Sequence, residues 1–371
     1  MTPRRDLVLV TAGFELEGGG RATVGRLLAG ACSNFARREQ VGFRVLSLRG
    51  TDPLIPGITV RGFHGSRSGL ALATVRAALR RPRPALVFDL LGLARPIALL
   101  PPAMRPPYAV ILLGIEVWRP HTRLGARALG AASIAVAISR HTRDRAREFV
   151  GPIASKFEVL PLALEERPAD GVVDTALLER LGSGFLLTAG RMSVSERYKG
   201  HDQVLTAFQE ALRLVPGARL VVAGGGDDRA RLEAVAAGNG LGEKVAFTGF
   251  VSEATLSELF GRCAGFVMPS RGEGFGLVYL EAMRAGKPCI AATGSAAEEI
   301  IEDGTTGFLV DPDDQRTLSG SLVRLLAEPE LARRLGEDAR ARWQERFSLQ
   351  RYRAGLEAYL DRLTTVDHVR H

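Results

Sequence analysis

Residues 265–288 read GFVMPSRGEGFGLVYLEAMRAGKP. The apolar run 265–268 predicts a short strand buried on both faces. It enters a turn containing Gly272, Gly274 and Gly276, and the pattern then predicts a helix over about 277–285, stopped at Gly286 with Pro288 beyond. Strand, glycine-rich turn and helix form the repeating unit of a parallel α/β sheet, and such sheets bind ligands at the carboxyl ends of their strands. The amides of Gly274, Phe275, Gly276 and Leu277 fall at the amino end of this helix, where unpaired N–H groups and the helix dipole favour an anion. Glu273 and Glu281 are eight positions apart, the first on the loop and the second about one turn into the helix. A carboxylate accepts two directional hydrogen bonds at once and suits sugar hydroxyls. One acid for a hexose and one for a ribose explains a pair that is near but not touching. Glu281, set among Val278, Tyr279, Leu280, Ala282 and Met283, does not read as a solvated surface residue.

The same alternation extends in both directions. Short apolar runs at 7–12, 43–48, 85–89, 109–113, 134–138 and 157–160 alternate with helical patterns near 21–38, 69–81, 122–131 and 139–149. The pattern blurs through Glu165-Glu-Arg-Pro-Ala-Asp170 and restarts at 184–189. Further strands are expected at 219–223, 244–248, 265–268, 288–292 and 307–310. Two doubly wound α/β domains joined near 161–183 follow from this, with their strand ends expected across a shared cleft. The boundaries expected are 1–165, 166–345 and a final helical segment, 346–371. In the tail, Phe347, Tyr352, Leu356, Tyr359 and Leu363 recur at three- to five-residue steps. At 371 residues the chain is too long for one ordinary core and fits two domains of ~150–200 residues.

Hydrophobic residues at 46% and charged residues at 24% exclude disorder and collagen. Cys32, Cys263 and Cys289 are an odd, scattered set, which excludes a disulfide framework and a Cys-based zinc site and suggests a reducing compartment. No run reaches the ~20 apolar residues of a membrane span. The net charge is +8 and is unevenly placed: residues 1–165 carry +13 and the remainder −5. A basic first half suggests an anionic partner there. Nucleic acid is not expected, because no binding motif is present and aromatic residues make up only 6%.

Two more elements suit phosphate. Arg191 follows Gly190 at the end of one strand, and Lys199 stands eight residues on in Tyr198-Lys-Gly200; an Arg fork and a Lys point charge together match a diphosphate, although two solvated surface charges would read the same way. Gly18-Gly-Gly20 follows the first strand and opens a helix, where backbone amides can approach an anion closely or simply make a flexible turn.

Taken together, G-E-G-F-G-L-x-x-L-E-A-M-x-A-G-x-P, Gly190-Arg191 with Tyr198-Lys-Gly200, Ala223-Gly-Gly-Gly226, Phe247-Thr-Gly-Phe250, 294–299 and Gly307-Phe-Leu-Val310 resemble the retaining glycosyltransferases of family 4, with Glu273 and Glu281 as the E-x7-E motif. The resemblance is dense from about 184 to 315 and thinner over 1–160, where Gly18-Gly-Gly20 and Gly114-Ile-Glu-Val-Trp118 fit. It implies the GT-B fold: two Rossmann-like domains facing a cleft, with the C-terminal helix packing back on the N-terminal domain. It also implies a nucleotide-diphosphate sugar as donor. Arg191 and Lys199 would neutralise the departing diphosphate, Glu273 would hold the transferred sugar and Glu281 the ribose. Gly274, Phe275, Gly276 and Leu277 would contact sugar and phosphate, with Gly19 and Gly20 closing from the first domain. Base and sugar choice would depend on 248–251 and 294–298. No metal or cofactor is expected, and Asp311-Pro-Asp-Asp314 reads as a turn.

One position departs from the family pattern. Leu113 stands where many members carry a histidine that reaches the reacting sugar, and His121 downstream reads as an ordinary surface or helix-start histidine. The alternative to transfer is therefore a nucleotide-sugar-binding pseudo-enzyme. Asp89 and Glu116 are acceptor-side candidates, and either can equally be a structural hydrogen-bonding residue. The basic first half suggests a phosphate-bearing or lipid-linked acceptor, in polysaccharide or glycolipid synthesis. The expected setting is cytoplasmic, with peripheral contact to the anionic inner face of the membrane.

Overall fold

A computed structural model describes residues 3–14, 19–50, 57–114, 116–118, 122–150, 157–166 and 169–366. The chain forms two compact units, residues 1–165 with 349–371, and residues 166–348.

The first unit is built on a seven-stranded parallel sheet in the order β3-β2-β1-β4-β5-β6-β7. Its strands are β1 (Leu7–Thr11), β2 (Phe43–Ser47), β3 (Val60–Gly62), β4 (Ala85–Phe88), β5 (Tyr108–Leu112), β6 (Ile134–Ala137) and β7 (Phe157–Val159). β1, β4, β5 and β6 are buried along their whole length, as strands covered on both faces must be. The helices between them are α1 (Gly19–Glu39), α2 (Arg67–Ala78), α3 (Leu91–Ala98), α4 (Arg123–Ala131) and α5 (Arg140–Val150). Ser66 and Thr122 cap α2 and α4 through their side-chain oxygens.

The second unit holds a six-stranded parallel sheet, β10-β9-β8-β11-β12-β13. Its strands are β8 (Leu186–Ala189), β9 (Leu220–Ala223), β10 (Val245–Gly249), β11 (Gly265–Met268), β12 (Cys289–Ala292) and β13 (Gly307–Val310). Its helices are α6 (Thr175–Leu181), α7 (His201–Leu214), α8 (Arg229–Gly238), α9 (Glu253–Arg262), α10 (Leu277–Arg284), α11 (Gln315–Ala327) and α12 (Pro329–Arg346). The connecting region expected near 161–183 contains α6, because Asp174 accepts the Leu177 N–H as an N-cap and Leu177, Leu178 and Leu181 are buried. The first unit likewise holds a short strand, β3, and a helix, α3, that the alternation pattern did not predict.

The last helix, α13 (Leu349–Thr364), packs on α1 of the first unit. Its apolar stripe of Tyr352, Leu356, Leu360 and Leu363 is buried, Arg38 pairs with Glu357 at 2.6 Å, and Arg4 pairs with Asp361 at 2.6 Å. Arg4 and Thr365 add an antiparallel bridge beside the sheet. Cys32, Cys263 and Cys289 are all buried thiols. Among the described residues no helix is long and apolar enough to cross a membrane.

Candidate functional site

In the second unit the strand order reverses between β8 and β11, the position at which open parallel sheets bind ligands at the carboxyl ends of their strands. Both loops carry the charged residues singled out from the sequence. After β8 come Gly190, Arg191 and a short 3-10 segment, Val194–Lys199. After β11 come Ser270, Glu273 and the start of α10. The two loops are bound to each other: the Arg271 N–H donates to the Tyr198 carbonyl at 3.0 Å, and the Tyr198 ring lies so close on Gly272 that a Cβ there would sit 2.5 Å from it. Gly200 ends the first loop in a left-handed conformation (φ +86°), with the Pro269 carbonyl only 2.7 Å from where a Cβ would stand. A side chain at Gly200 would therefore push the loops apart.

Arg191 and Lys199 meet on one carboxylate. Glu196 lies 3.4 Å from Arg191 and 3.1 Å from Lys199, with Lys199 and Glu196 largely enclosed and Arg191 61% exposed. Glu273 accepts a hydrogen bond from Ser270 Oγ at 3.3 Å. Burial pushes its carboxyl above the usual range, while the positive charge of Lys199 and the Ser270 bond pull against that and Glu196 reinforces it. Two cations and two carboxylates thus gather at the ends of β8 and β11, close enough for their charges to act on one another.

α10 begins at Gly276, a left-handed N-cap (φ +103°), and its first N–H groups have no partner within the helix. The helix is anchored to β11 by Tyr279, which is fully buried, donates to the Met268 carbonyl at 2.5 Å and meets Phe266 edge-on. Phe275 is buried against Phe347, so it holds the loop while the neighbouring amides form the helix entrance. Glu281 is partly accessible, and its carboxylate makes no hydrogen bond among the described residues. Desolvation pushes its carboxyl up to about 7, with Arg284 pulling it down and Glu253 adding to the rise.

In the first unit, Gly19 and Gly20 open α1, and Gly18, Ile115 and His121 lie outside the described residues. Asp89 follows β4 and is 1% exposed. Its oxygens accept from Thr11 Oγ1 at 2.5 Å and from the Ala12 N–H at 3.0 Å, which joins β4 to the end of β1. Desolvation outweighs those bonds and pushes its carboxyl up to about 7. Glu116 is exposed, accepts from the Leu113 N–H at 2.5 Å and feels the charge of Arg21. Leu113 is half-buried beside Gly114. Among the described residues no group of three or more His, Cys, Asp or Glu side chains is placed to hold a metal ion.

The family model described as "Glycosyl transferases group 1" matches residues 177–342. The GDP-mannose-dependent alpha-(1-6)-phosphatidylinositol monomannoside mannosyltransferase of Mycolicibacterium smegmatis is 33% identical over 261 residues, 66% of this chain and 68% of that protein. The chain belongs to the group 1 glycosyltransferases. Among solved structures, Anabaena HepE in complex with UDP and glucose superposes with a TM-score of 0.75 at 20% identity, covering 96% of this chain and 99% of that one. A glycosyltransferase from Rickettsia africae gives 0.77 at 17% identity, covering 97% and 98%. The fold of this glycosyltransferase is GT-B.

Sequence reasoning missed two parts of this candidate site. Glu196 stands three residues before Lys199, at a kink within the 3-10 segment, and an acid at that spacing from a lysine was the available signal. Ser270 gave none, since its bond to Glu273 depends on how the turn folds.

Proposed function

We propose that this glycosyltransferase is a retaining hexosyltransferase of family 4 that takes a nucleotide-diphosphate sugar as donor. The observation that carries the reading is the grouping of Arg191, Lys199 and Glu273 at the reversal point of the second sheet, beside the amino end of α10. Arg191 and Lys199 take up the charge that develops on the diphosphate as its bond to the sugar C1 breaks. Charge stabilisation by groups already held in place commonly contributes more to enzymatic rate enhancement than any other single effect. The amides of Gly274, Phe275, Gly276 and Leu277 add to it, Glu273 holds the sugar hydroxyls, and Glu281 holds the ribose. The acceptor oxygen bonds to C1 on the face the diphosphate leaves, and its proton passes to the departing phosphate oxygen. No metal ion is required in this scheme, so a chelator should leave the rate unchanged.

A donor of this class is supported by the M. smegmatis relative, named as GDP-mannose-dependent, and by the HepE complex with UDP and glucose. The first unit takes the acceptor, with Glu116 contacting it, Asp89 positioning the loop after β1, and Gly19 and Gly20 assigned to the donor on the family resemblance. The surplus of basic residues in 1–165 supports a phosphate-bearing or lipid-linked acceptor and a peripheral position on the anionic cytoplasmic face of a membrane. A second reading, nucleotide-sugar binding without transfer, is favoured by one observation, Leu113 at the usual histidine position.

The test is incubation with UDP-, GDP- and ADP-sugars, following release of nucleoside diphosphate. The native protein should hydrolyse or transfer from at least one donor, and Glu273→Ala should not. Equal rates in the two would remove Glu273 from the site. Binding without turnover, restored by Leu113→His, would establish the second reading.

A further inference from the structure

The first unit carries a concentration of chemistry that acceptor binding does not use, on the outer faces of α2 and α3. Residues 53–115 contain eight arginines, no lysine and a single acid. That acid is Asp89, buried and bonded to Thr11 and Ala12. α2 buries Leu70, Thr74, Ala77 and Ala78. Leu72 and Arg76 on its outer face, with Leu79 and Arg80 just past its end, are exposed, and steps of four, three and one residues place them on one side. α3 exposes Arg95, with Leu99 four residues on, and the chain then enters the turn Pro102–Met104, where Met104 is exposed.

These segments form one surface. α2 packs directly on α3, and the Arg83 guanidinium donates to the Ala103 carbonyl at 2.6 Å, tying the loop after α2 to that turn. Leu72 is 51% and Leu99 61% exposed, and with Leu79 and Met104 they make up four of the eight exposed large apolar side chains among the described residues. The arginines here divide into two kinds. Arg83 and Arg105 are used internally, on the carbonyls of Ala103 and of Leu100 and Ala98. The guanidinium groups of Arg76, Arg80, Arg81 and Arg95 have no partner among the described residues.

Unpaired guanidinium groups on a surface without acids attract external anions. Leucine and methionine interleaved with them gain by leaving water. A bilayer with anionic headgroups satisfies both, offering phosphates at the interface and acyl chains a few ångströms deeper. An acidic protein would complement the arginines and leave the four apolar side chains unexplained. We infer that the surface formed by α2, α3 and the Pro102–Met104 turn docks the protein on an anionic membrane. The inference rests on the membrane contact proposed above and deepens it by naming the face. Leu79 and Leu99 follow the carboxyl ends of α2 and α3, and Met104 ends the turn before β5, at the edge of the sheet where β4 and β5 begin. Docking there leaves the opposite edge, with exposed Gly20 and Glu116, facing solvent, which favours the phosphate-bearing acceptor over the lipid-linked one.

The experiment is co-sedimentation of the full chain with phosphatidylcholine vesicles with and without phosphatidylglycerol, with donor hydrolysis measured on every variant. The native protein should pellet with phosphatidylglycerol vesicles, bind several-fold less at about 0.5 M salt, where charges are screened within about 4 Å, and ignore phosphatidylcholine alone. The double variant Leu79→Glu, Leu99→Glu and the triple variant Arg76→Glu, Arg80→Glu, Arg81→Glu should each weaken binding at least about tenfold and keep native hydrolysis. Leu214→Glu, at an exposed leucine of the second unit, should change nothing. If the native protein binds and both multiple variants bind equally well, this face is wrong and the membrane reading survives. If the native protein ignores anionic vesicles, both fail. Retention on polyglutamate without vesicle binding would assign the face to an acidic protein and overturn the inference.

Discussion

β1 and β4 in the first unit, and β8 and β11 in the second, are the same pair of positions: neighbours at which the order of a parallel sheet reverses. Each pair delivers an acid to the loop after its second strand. In the first unit that acid is Asp89, 1% exposed, with both strand-end donors, Thr11 Oγ1 and the Ala12 N–H, satisfied by its oxygens. In the second it is Glu273, partly accessible, with one bond of 3.3 Å to Ser270 and the charge of Lys199 acting on it. Topology therefore places a carboxylate at both points. Whether it can serve a ligand depends on how many of its acceptor sites the protein itself has filled.

This contrast can be broken by experiment. Lys199→Ala should reduce transfer by about 10²–10³-fold, as loss of one transition-state contact does elsewhere, with little change in the unfolding midpoint. A variant with native turnover would show that Lys199 is an ordinary surface charge. Asp89→Ala should show the reverse pattern. It removes the acceptor of the Ala12 N–H and leaves Thr11 Oγ1 only its long 3.4 Å bond to the Gly13 carbonyl, at about 1–3 kcal/mol for a buried group left unpaired. The urea midpoint should fall accordingly, and an unchanged midpoint would show that Asp89 is not structural.

The smallest effect is in pH. Glu281 titrates near 7 in the folded chain, above the unfolded carboxyl range. A raised carboxyl pKa means the native state holds its proton more tightly, so this group's contribution to stability is greatest below the unfolded pKa and declines as pH rises to about 7. Ribose hydroxyls favour the ionised form, so donor affinity should increase as pH rises through about 7, with proton release on binding. Calorimetry in buffers of different ionisation enthalpy would measure that release. Glu281→Gln should abolish it, and release that persists in the variant would move the titrating group elsewhere.

Most of the strands were legible because β1, β4, β5, β6, β8, β9, β11 and β12 are buried along their whole length and are therefore nearly all apolar. β3 escaped notice because its three residues are only partly buried, and α6 because its Asp cap and three leucines sit in a stretch that reads as a connector. Glu273 and Glu281 stood out through their spacing and setting, whereas Arg191 and Lys199 gained a role only through the resemblance to family 4. Glu196 and Ser270 did not stand out: each contacts a candidate residue three positions away on its own loop, and that contact depends on how the loop folds rather than on residue type.

Alternating apolar runs, glycine turns and charge blocks are local properties, and from them the amino-acid sequence by itself determined two doubly wound domains, the candidate donor residues and a basic first half. Tertiary structure decided what surrounds each charge. It buried Asp89 in the architecture, gathered Arg191 and Lys199 on Glu196, and left Arg76, Arg80, Arg81 and Arg95 without partners among the described residues, beside exposed leucines. The physical reason is that a side chain's availability depends on the groups around it in space. Those groups arrive from distant parts of the chain only when the sheets form.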